Sequence, residues 1–110
     1  MNATTPTPPR VVDLDESATC DQHRYTYTRV VRIGDHRVRV HVRRDNYLMQ
    51  SHAVAEVLAA TMTWTHLAAA DAVTWFDATA LPGREPVHCA TELGPIADTL
   101  IQRAAAILLD

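Results

Sequence analysis

Arginine is the residue type in this chain whose number and spacing could form a binding site. Seven of the ten arginines lie between Arg24 and Arg44, and the 110-residue sequence has no lysine. Guanidinium groups bind phosphate and carboxylate oxygens through paired hydrogen bonds. Residues 22–45 carry seven arginines and two aspartates (+5), whereas the other 86 residues carry three arginines and eleven acids (−8). The net charge of −3 therefore conceals one strongly cationic segment, a candidate site for an anionic partner.

The arginines alternate with apolar residues, a pattern typical of a β-hairpin. Gly34-Asp35 predicts a two-residue turn, because glycine accepts the positive φ that begins a type II′ turn. The turn fixes the register of strands within 25–44. The predicted pairs are Ile33 with His36, Val31 with Val38, Arg29 with Val40 and Tyr27 with Val42 on an apolar face, and Arg32 with Arg37, Val30 with Arg39, Thr28 with His41 and Thr26 with Arg43 on a cationic face.

The cationic face is the predicted binding site for nucleic acid or an acidic protein surface. Its candidate contacts are Arg32, Arg37, Arg39, His41 and Arg43. Like charges directly opposed across a hairpin are destabilising, so Arg32 and Arg37 favour a partner that supplies negative charge. The competing interpretation is that these arginines keep the face hydrated or pair with carboxylates of the same chain. The net negative charge supports that alternative, because nucleic-acid-binding domains are usually basic.

Metal-binding and catalytic patterns are poorly developed. Cys20 and His23 have ligand-like spacing, and His88-Cys89 would complete a zinc set, but adjacent residues rarely bind one ion together. We therefore predict no metal, no cofactor and two free thiols.

For catalysis, the only serines are Ser17 and Ser51, and neither lies in a glycine-flanked elbow. The three glycines are too far apart to form a phosphate-binding loop. Acid and base roles for Asp71, Asp77 and Glu85 stay open, so a small enzyme of unknown reaction is kept as an alternative.

The elements that would position these residues form a small α+β domain. Residues 1–19 are rich in proline and threonine, and we predict a disordered arm there, followed by one domain over 20–110. Strands are predicted near 51–58 and 62–68, extending the hairpin to an antiparallel meander, although the alanines of 51–60 also suit a helix. An amphipathic helix over 95–109, beginning at Pro95, is predicted to pack on the apolar face. Trp75 and Phe76 fall in an irregular connection, either in the core or as exposed anchors for a partner.

The central segment carries one resemblance. Residues 40–53 read Val-His-Val-Arg-Arg-Asp-Asn-Tyr-Leu-Met-Gln-Ser-His-Ala, with Trp64 following. This resembles an Arg-Asp-x-Tyr-x-x-Gln-Ser-x-Ala pattern of small uncharacterised actinobacterial and phage proteins. The resemblance agrees with the meander and implies no activity.

Together these features predict a non-catalytic interaction module that binds nucleic acid or another polyanion through the arginine face. The alternative is a protein-binding or self-assembling subunit, including a homodimer. No run of residues is long and apolar enough to cross a membrane, and no secretory signal is recognisable, so a cytoplasmic protein is expected. The all-arginine, alanine-rich composition suggests a bacterial or phage origin.

Overall fold

The protein is an α+β domain in which an antiparallel five-stranded meander is packed by a C-terminal helix. The structure, a computed structural model, describes residues 10–21, 24–77, 79 and 86–109, with only the backbone described at 20, 21 and 86–89. The elements are β1 (Val11–Asp21), β2 (Arg24–Ile33), β3 (His36–Asp45), a short 3₁₀ turn (Leu48–Gln50), β4 (His52–Leu58), β5 (Trp64–Ala70), α1 (Ala72–Trp75) and α2 (Pro86–Leu109). Consecutive strands are neighbours in the sheet throughout.

The central hairpin has the predicted register. All eight pairs are present, from Ile33 with His36 at the turn to Thr26 with Arg43. Gly34 has a φ of 59°, the positive value that the turn requires. Its amide also donates to the carbonyl of Arg10 at 3.0 Å, which ties the turn to the start of β1. The single Gly-Asp step therefore sets which side chains share a face.

The prediction of a disordered arm over 1–19 is wrong from Val11 onward. Residues Val11–Asp21 form the first edge strand and pair with β2 along its whole length. Val11 and Ala18 pack against the core, and a bulge at Leu14 separates two runs of regular pairing. Four acidic residues along this strand hide the alternation that identifies it. Residues 1–9 lie outside the described ranges, and the domain begins before residue 20.

Strands β4 and β5 confirm the predicted meander and exclude the helical alternative for 51–60. Their connection contains no glycine. Instead Met62 takes a φ of 66°, and the Met62 amide donates to the Ala59 carbonyl at 2.8 Å. A type I turn followed by a left-handed residue is the usual three-residue hairpin loop.

Helix α2 is longer than predicted. It begins at Pro86 rather than Pro95 and continues through Pro95. Proline suits the first helical position, so Pro86 starts the helix for the reason proposed for Pro95. Its buried stripe consists of Leu93, Ala97, Leu100, Ile101 and Ala104. Ile107, near its end, is 51% exposed.

The core lies between α2 and one face of the sheet, the inner face. Its fully buried side chains include Val31, Ile33, Val38, Val40, Val42, Leu93 and Leu100. Fully burying an aliphatic side chain of this size stabilises a fold by roughly 1.5–3 kcal/mol. Neither helix in the described part of the chain has the combination of length and apolarity needed to span a bilayer.

Candidate functional site: the outer face of the sheet

The opposite face of the sheet, the outer face, is covered by none of the elements that the structure describes. It is formed by residues that alternate with the core positions, namely Thr26, Thr28, Val30, Arg32, Arg37, Arg39, His41, Arg43, His52, Val54, Glu56, Leu58, Trp64, His66 and Ala69. None of these side chains is buried, whereas their neighbours along each central strand pack under α2. All five predicted site residues lie on this face, because the hairpin register places them there.

Two of the predicted arginines are neutralised within the chain. Arg39 binds the Glu56 carboxylate with its Nε and Nη2 at 3.2 and 2.9 Å, and its guanidinium lies 4.5 Å from the Trp64 ring centroid. Arg43 lies 3.5 Å from the Asp45 carboxylate. Glu56 reaches Arg39 because β4 pairs directly with β3 in this register. Arg39 therefore links β3 to β4, whereas the carboxylate partner of Arg43 lies on its own strand.

His41 is not a cationic contact near neutral pH. Its Nδ1 lies 2.8 Å from Thr28 Oγ1, and its ring stacks on His52 with 5.7 Å between centroids. Burial, together with His52 and Arg39, holds the pKa of His41 below its ordinary value. Burial and Arg43 lower the pKa of His52 in the same way. The two neutral rings line a shallow depression with Thr28, Val54, Arg39 and Glu56.

Arg32 and Arg37 are the predicted contacts that stay available. They pair across the β2–β3 turn, both are exposed, and no described carboxylate lies within ion-pair distance of either. Val38 pairs with Val57, so the β4 neighbour of Arg37 is Leu58, which pairs in turn with Trp64. This row of two free cations beside an aliphatic and an aromatic side chain is called the cationic end of the outer face.

The remaining hairpin arginines contact other residues of the chain, Arg29 and Arg44 in largely buried positions and Arg24 at the surface. Arg29 points to the inner side, where it donates to Asp13 of β1 and to Asp98 of α2. Burial lowers the pKa of Arg29, but these two hydrogen bonds outweigh burial and raise the pKa above its ordinary value. Arg24 lies 3.7 Å from Asp45. Arg44 is only 7% exposed.

A second group of exposed residues was missed by the sequence analysis. Met49 is 95% exposed, Val73 is 67% exposed, and Leu48 is 38% exposed. These three side chains surround a groove whose floor includes Val54 and Ala69. The sequence signal for this group is Leu48-Met49, two consecutive apolar residues in the segment that follows β3. This group is called the apolar end of the outer face.

The apolar end is held in place by a polar hub at Asp45. The Asp45 amide donates to Ser51 Oγ at 2.9 Å, and the Ser51 hydroxyl donates to the Tyr47 carbonyl at 3.0 Å. With its amide oriented by hydrogen bonding, Gln50 donates to both Asp45 carboxylate oxygens at 3.3 Å. Burial alone would raise the pKa of Asp45. Hydrogen bonds from backbone amides and from Arg43 outweigh this effect, so the pKa lies below its ordinary value and the carboxylate stays charged. The Arg-Asp-x-Tyr-x-x-Gln-Ser segment thus shapes a loop.

The other candidates have structural positions. Trp75 is 6% exposed and donates to the Ala70 carbonyl, so it is a core residue and not an exposed anchor. Phe76 is half-buried beneath Arg44. Asp71 accepts a hydrogen bond from the Val73 amide at 3.1 Å and caps α1. Ser51 is bonded to Asp45 and Tyr47 in the polar hub.

The zinc candidates cannot be placed, since His23 and the side chains of Cys20, His88 and Cys89 lie outside the described residues, as does Glu85. Within the described ranges, no group of three or more His, Cys, Asp or Glu side chains could hold a metal ion. Comparison of the chain with protein-family models, with curated proteins and with solved structures finds no match. The interpretation of the outer face therefore depends on its own geometry.

Proposed function

We propose that the protein is a non-catalytic interaction module that binds an acidic segment of another protein on the outer face of its sheet. The observation that carries this proposal is the pair Arg32 and Arg37, opposed across the hairpin, exposed, and without an ion pair to any described residue. Carboxylates from a partner would remove the repulsion between the two guanidinium groups. Leu58 and Trp64 would supply apolar contact beside them.

An acidic protein fits this face better than nucleic acid does. Nucleic-acid binding gains affinity from many phosphate contacts, and here only two of the five predicted cationic contacts are free. Glu56 lies on the same face, and Asp15 of the edge strand β1 pairs with Val30 of that face. Tryptophan and arginine are enriched at protein interfaces, where they contribute much of the binding energy.

A small enzyme is the less favoured alternative. The depression around His41 and His52 is shallow, and its one acidic side chain, Glu56, is bound to Arg39. We keep a cytoplasmic location and a bacterial or phage origin as parts of this proposal.

The proposal is tested by titrating the isotope-labelled protein with two probes at low and physiological salt. One probe is a peptide of four Glu-Ala-Glu-Leu repeats, and the other is an oligothymidylate of about 15 nucleotides, long enough to fill a single-strand site. We expect the peptide to shift the guanidinium signals of Arg32 and Arg37 and the indole signal of Trp64. The buried Trp75 indole is an internal reference that should not move.

The matched control for Arg32→Ala is Arg24→Ala, which removes the same single charge from the opposite end of β2. Arg32→Ala should weaken peptide binding and Arg32→Ala/Arg37→Ala should abolish it, whereas Arg24→Ala should retain it. If the oligonucleotide binds and the peptide does not, the polyanion is nucleic acid and the protein-binding proposal is wrong. Equal effects of Arg32→Ala and Arg24→Ala would also contradict it, since the attraction would then be unspecific.

A further inference from the structure

The two ends of the outer face differ in chemistry and lie at opposite ends of the same strands. Arg32 is one residue before the end of β2 and Arg37 is one residue after the start of β3, next to the turn, while Leu48 and Met49 follow β3 and Val73 follows β5 at the far end. Leu58 at the cationic end and His52 near the apolar end are six residues apart on β4. At about 3.3 Å per residue, this separation is about 20 Å.

The central depression of the outer face is continuous with the apolar end. Val54 and His52 line both the central depression and the groove of the apolar end. The groove floor consists of small side chains, Ala69 and Ala70 among them, so it can admit larger apolar groups from outside. Exposed apolar groups gathered around such a groove are typical of a protein-binding site.

We infer that the partner segment is a helix whose charge is polarised along its length, with carboxylates near its N-terminus and apolar side chains near its C-terminus. This inference rests on the proposed function and specifies its ligand. A helix of about 13 residues spans about 20 Å. Carboxylates in the first turn of this helix are stabilised by its dipole, and they separate the positive N-terminal end of the helix from Arg32 and Arg37. Its apolar residues cover Leu48, Met49 and Val73.

The same charge pattern argues against a second copy of this chain as the occupant. A two-fold contact between outer faces places either cationic end over cationic end or cationic end over apolar end. The first arrangement sets Arg32 and Arg37 against their own copies, and the second removes them from water without a counter-charge.

The test compares two peptides of identical composition. The Glu-Ala-Glu-Leu repeat peptide distributes its carboxylates evenly, whereas a rearranged peptide has all its Glu residues in the N-terminal half and all its Leu and Ala residues in the C-terminal half. We expect the rearranged peptide to bind about tenfold or more tightly, the gain that burying one apolar side chain contributes. Its binding should shift the methyl signals of both Met49 and Val73.

Met49→Ser is the matched variant, since a side chain 95% exposed can be changed without disturbing the fold. It should reduce the affinity for the rearranged peptide to that for the repeat peptide and leave the repeat peptide unaffected. Equal affinities of the two peptides for the unaltered protein would overturn this inference while leaving the proposed function intact. A dimer seen by light scattering and dispersed by Leu48→Ser would also overturn it, because a second copy would then occupy the apolar end.

Discussion

The guanidinium carbon of Arg44 lies 3.7 Å from the ring centroid of Phe76, so the last arginine of the hairpin is directed into the protein. Its Nε donates to Thr79 Oγ1 at 3.0 Å, Nη2 donates to the Thr79 and Phe76 carbonyls at 3.3 Å, and Nη1 donates to the Asp45 carbonyl. Burial lowers the pKa of Arg44. A cluster of positive charge in sequence thus includes a cation that fastens β3 to the segment after α1.

Replacing Arg44 by lysine should therefore be strongly destabilising although the charge is kept. Lysine is a point charge without the planar fork that reaches four acceptors, so buried carbonyls would lose their donors. We expect a loss of about 2–4 kcal/mol in the free energy of unfolding, measured by urea denaturation. Arg24→Lys, at an exposed position, should change it by less than about 0.5 kcal/mol. Similar effects of the two substitutions would contradict the structural role of Arg44.

Met62 offers a stabilising substitution. Its positive φ costs a residue with a Cβ roughly 1–2 kcal/mol, and its side chain is 77% exposed, so little packing is lost on removal. Met62→Gly should raise the free energy of unfolding by about 0.5–1 kcal/mol after the greater chain entropy of glycine is included. Met62→Ala keeps the Cβ and should bring no gain. An equal gain from alanine would show that backbone strain is not the cause.

Stability should fall in mild acid because of the stacked histidines. The pKa values of His41 and His52 are lowered in the folded protein, chiefly by burial, so the unfolded chain binds more protons once the pH drops below its ordinary histidine value of about 6.5. The unfolding midpoint in urea should therefore decrease from pH 7 downward and level off below the folded pKa values. His41→Gln/His52→Gln should flatten this dependence. The exposed His36→Gln is the control, and an unchanged slope in the double variant would contradict the assignment.

The hairpin and the meander could be predicted because their determinants are local. Gly34-Asp35 fixes the register, and period-two alternation assigns each side chain to a face. Strand β1 was not predicted because its acidic residues give the segment the composition of a disordered tail. Its few apolar residues can be recognised as strand positions only once β2 is placed beside them. The start of α2 at Pro86 was not predicted because Gly94-Pro95 is a stronger local signal for a helix boundary. In the structure the helix continues through Gly94-Pro95, since Leu93 and Ala97 on either side are packed in the core.

The site was predictable only in part for the same reason. That Arg32 and Arg37 share a face follows from the turn alone. Arg39 is neutralised by Glu56, and the position of Glu56 depends on the register between β3 and β4. The segment 46–51 that joins these strands has no turn signal from which the register could be predicted. The apolar end requires four elements, the 3₁₀ turn, β4, β5 and α1, to meet, which no local pattern specifies.

The opposed arginines lead to a prediction that separates a binding role from a structural one. Arg37→Glu replaces a repulsive cross-strand pair with an attractive one, so it should stabilise the hairpin by roughly 0.2–1 kcal/mol. The same change reverses one of the two free charges of the cationic end, so binding of the Glu-Ala-Glu-Leu peptide should be lost. Urea denaturation and peptide titration of this one variant measure both quantities. A variant that binds the peptide as before would exclude the cationic end as the docking site, and a destabilised variant would mean that Arg37 has a structural role in the fold.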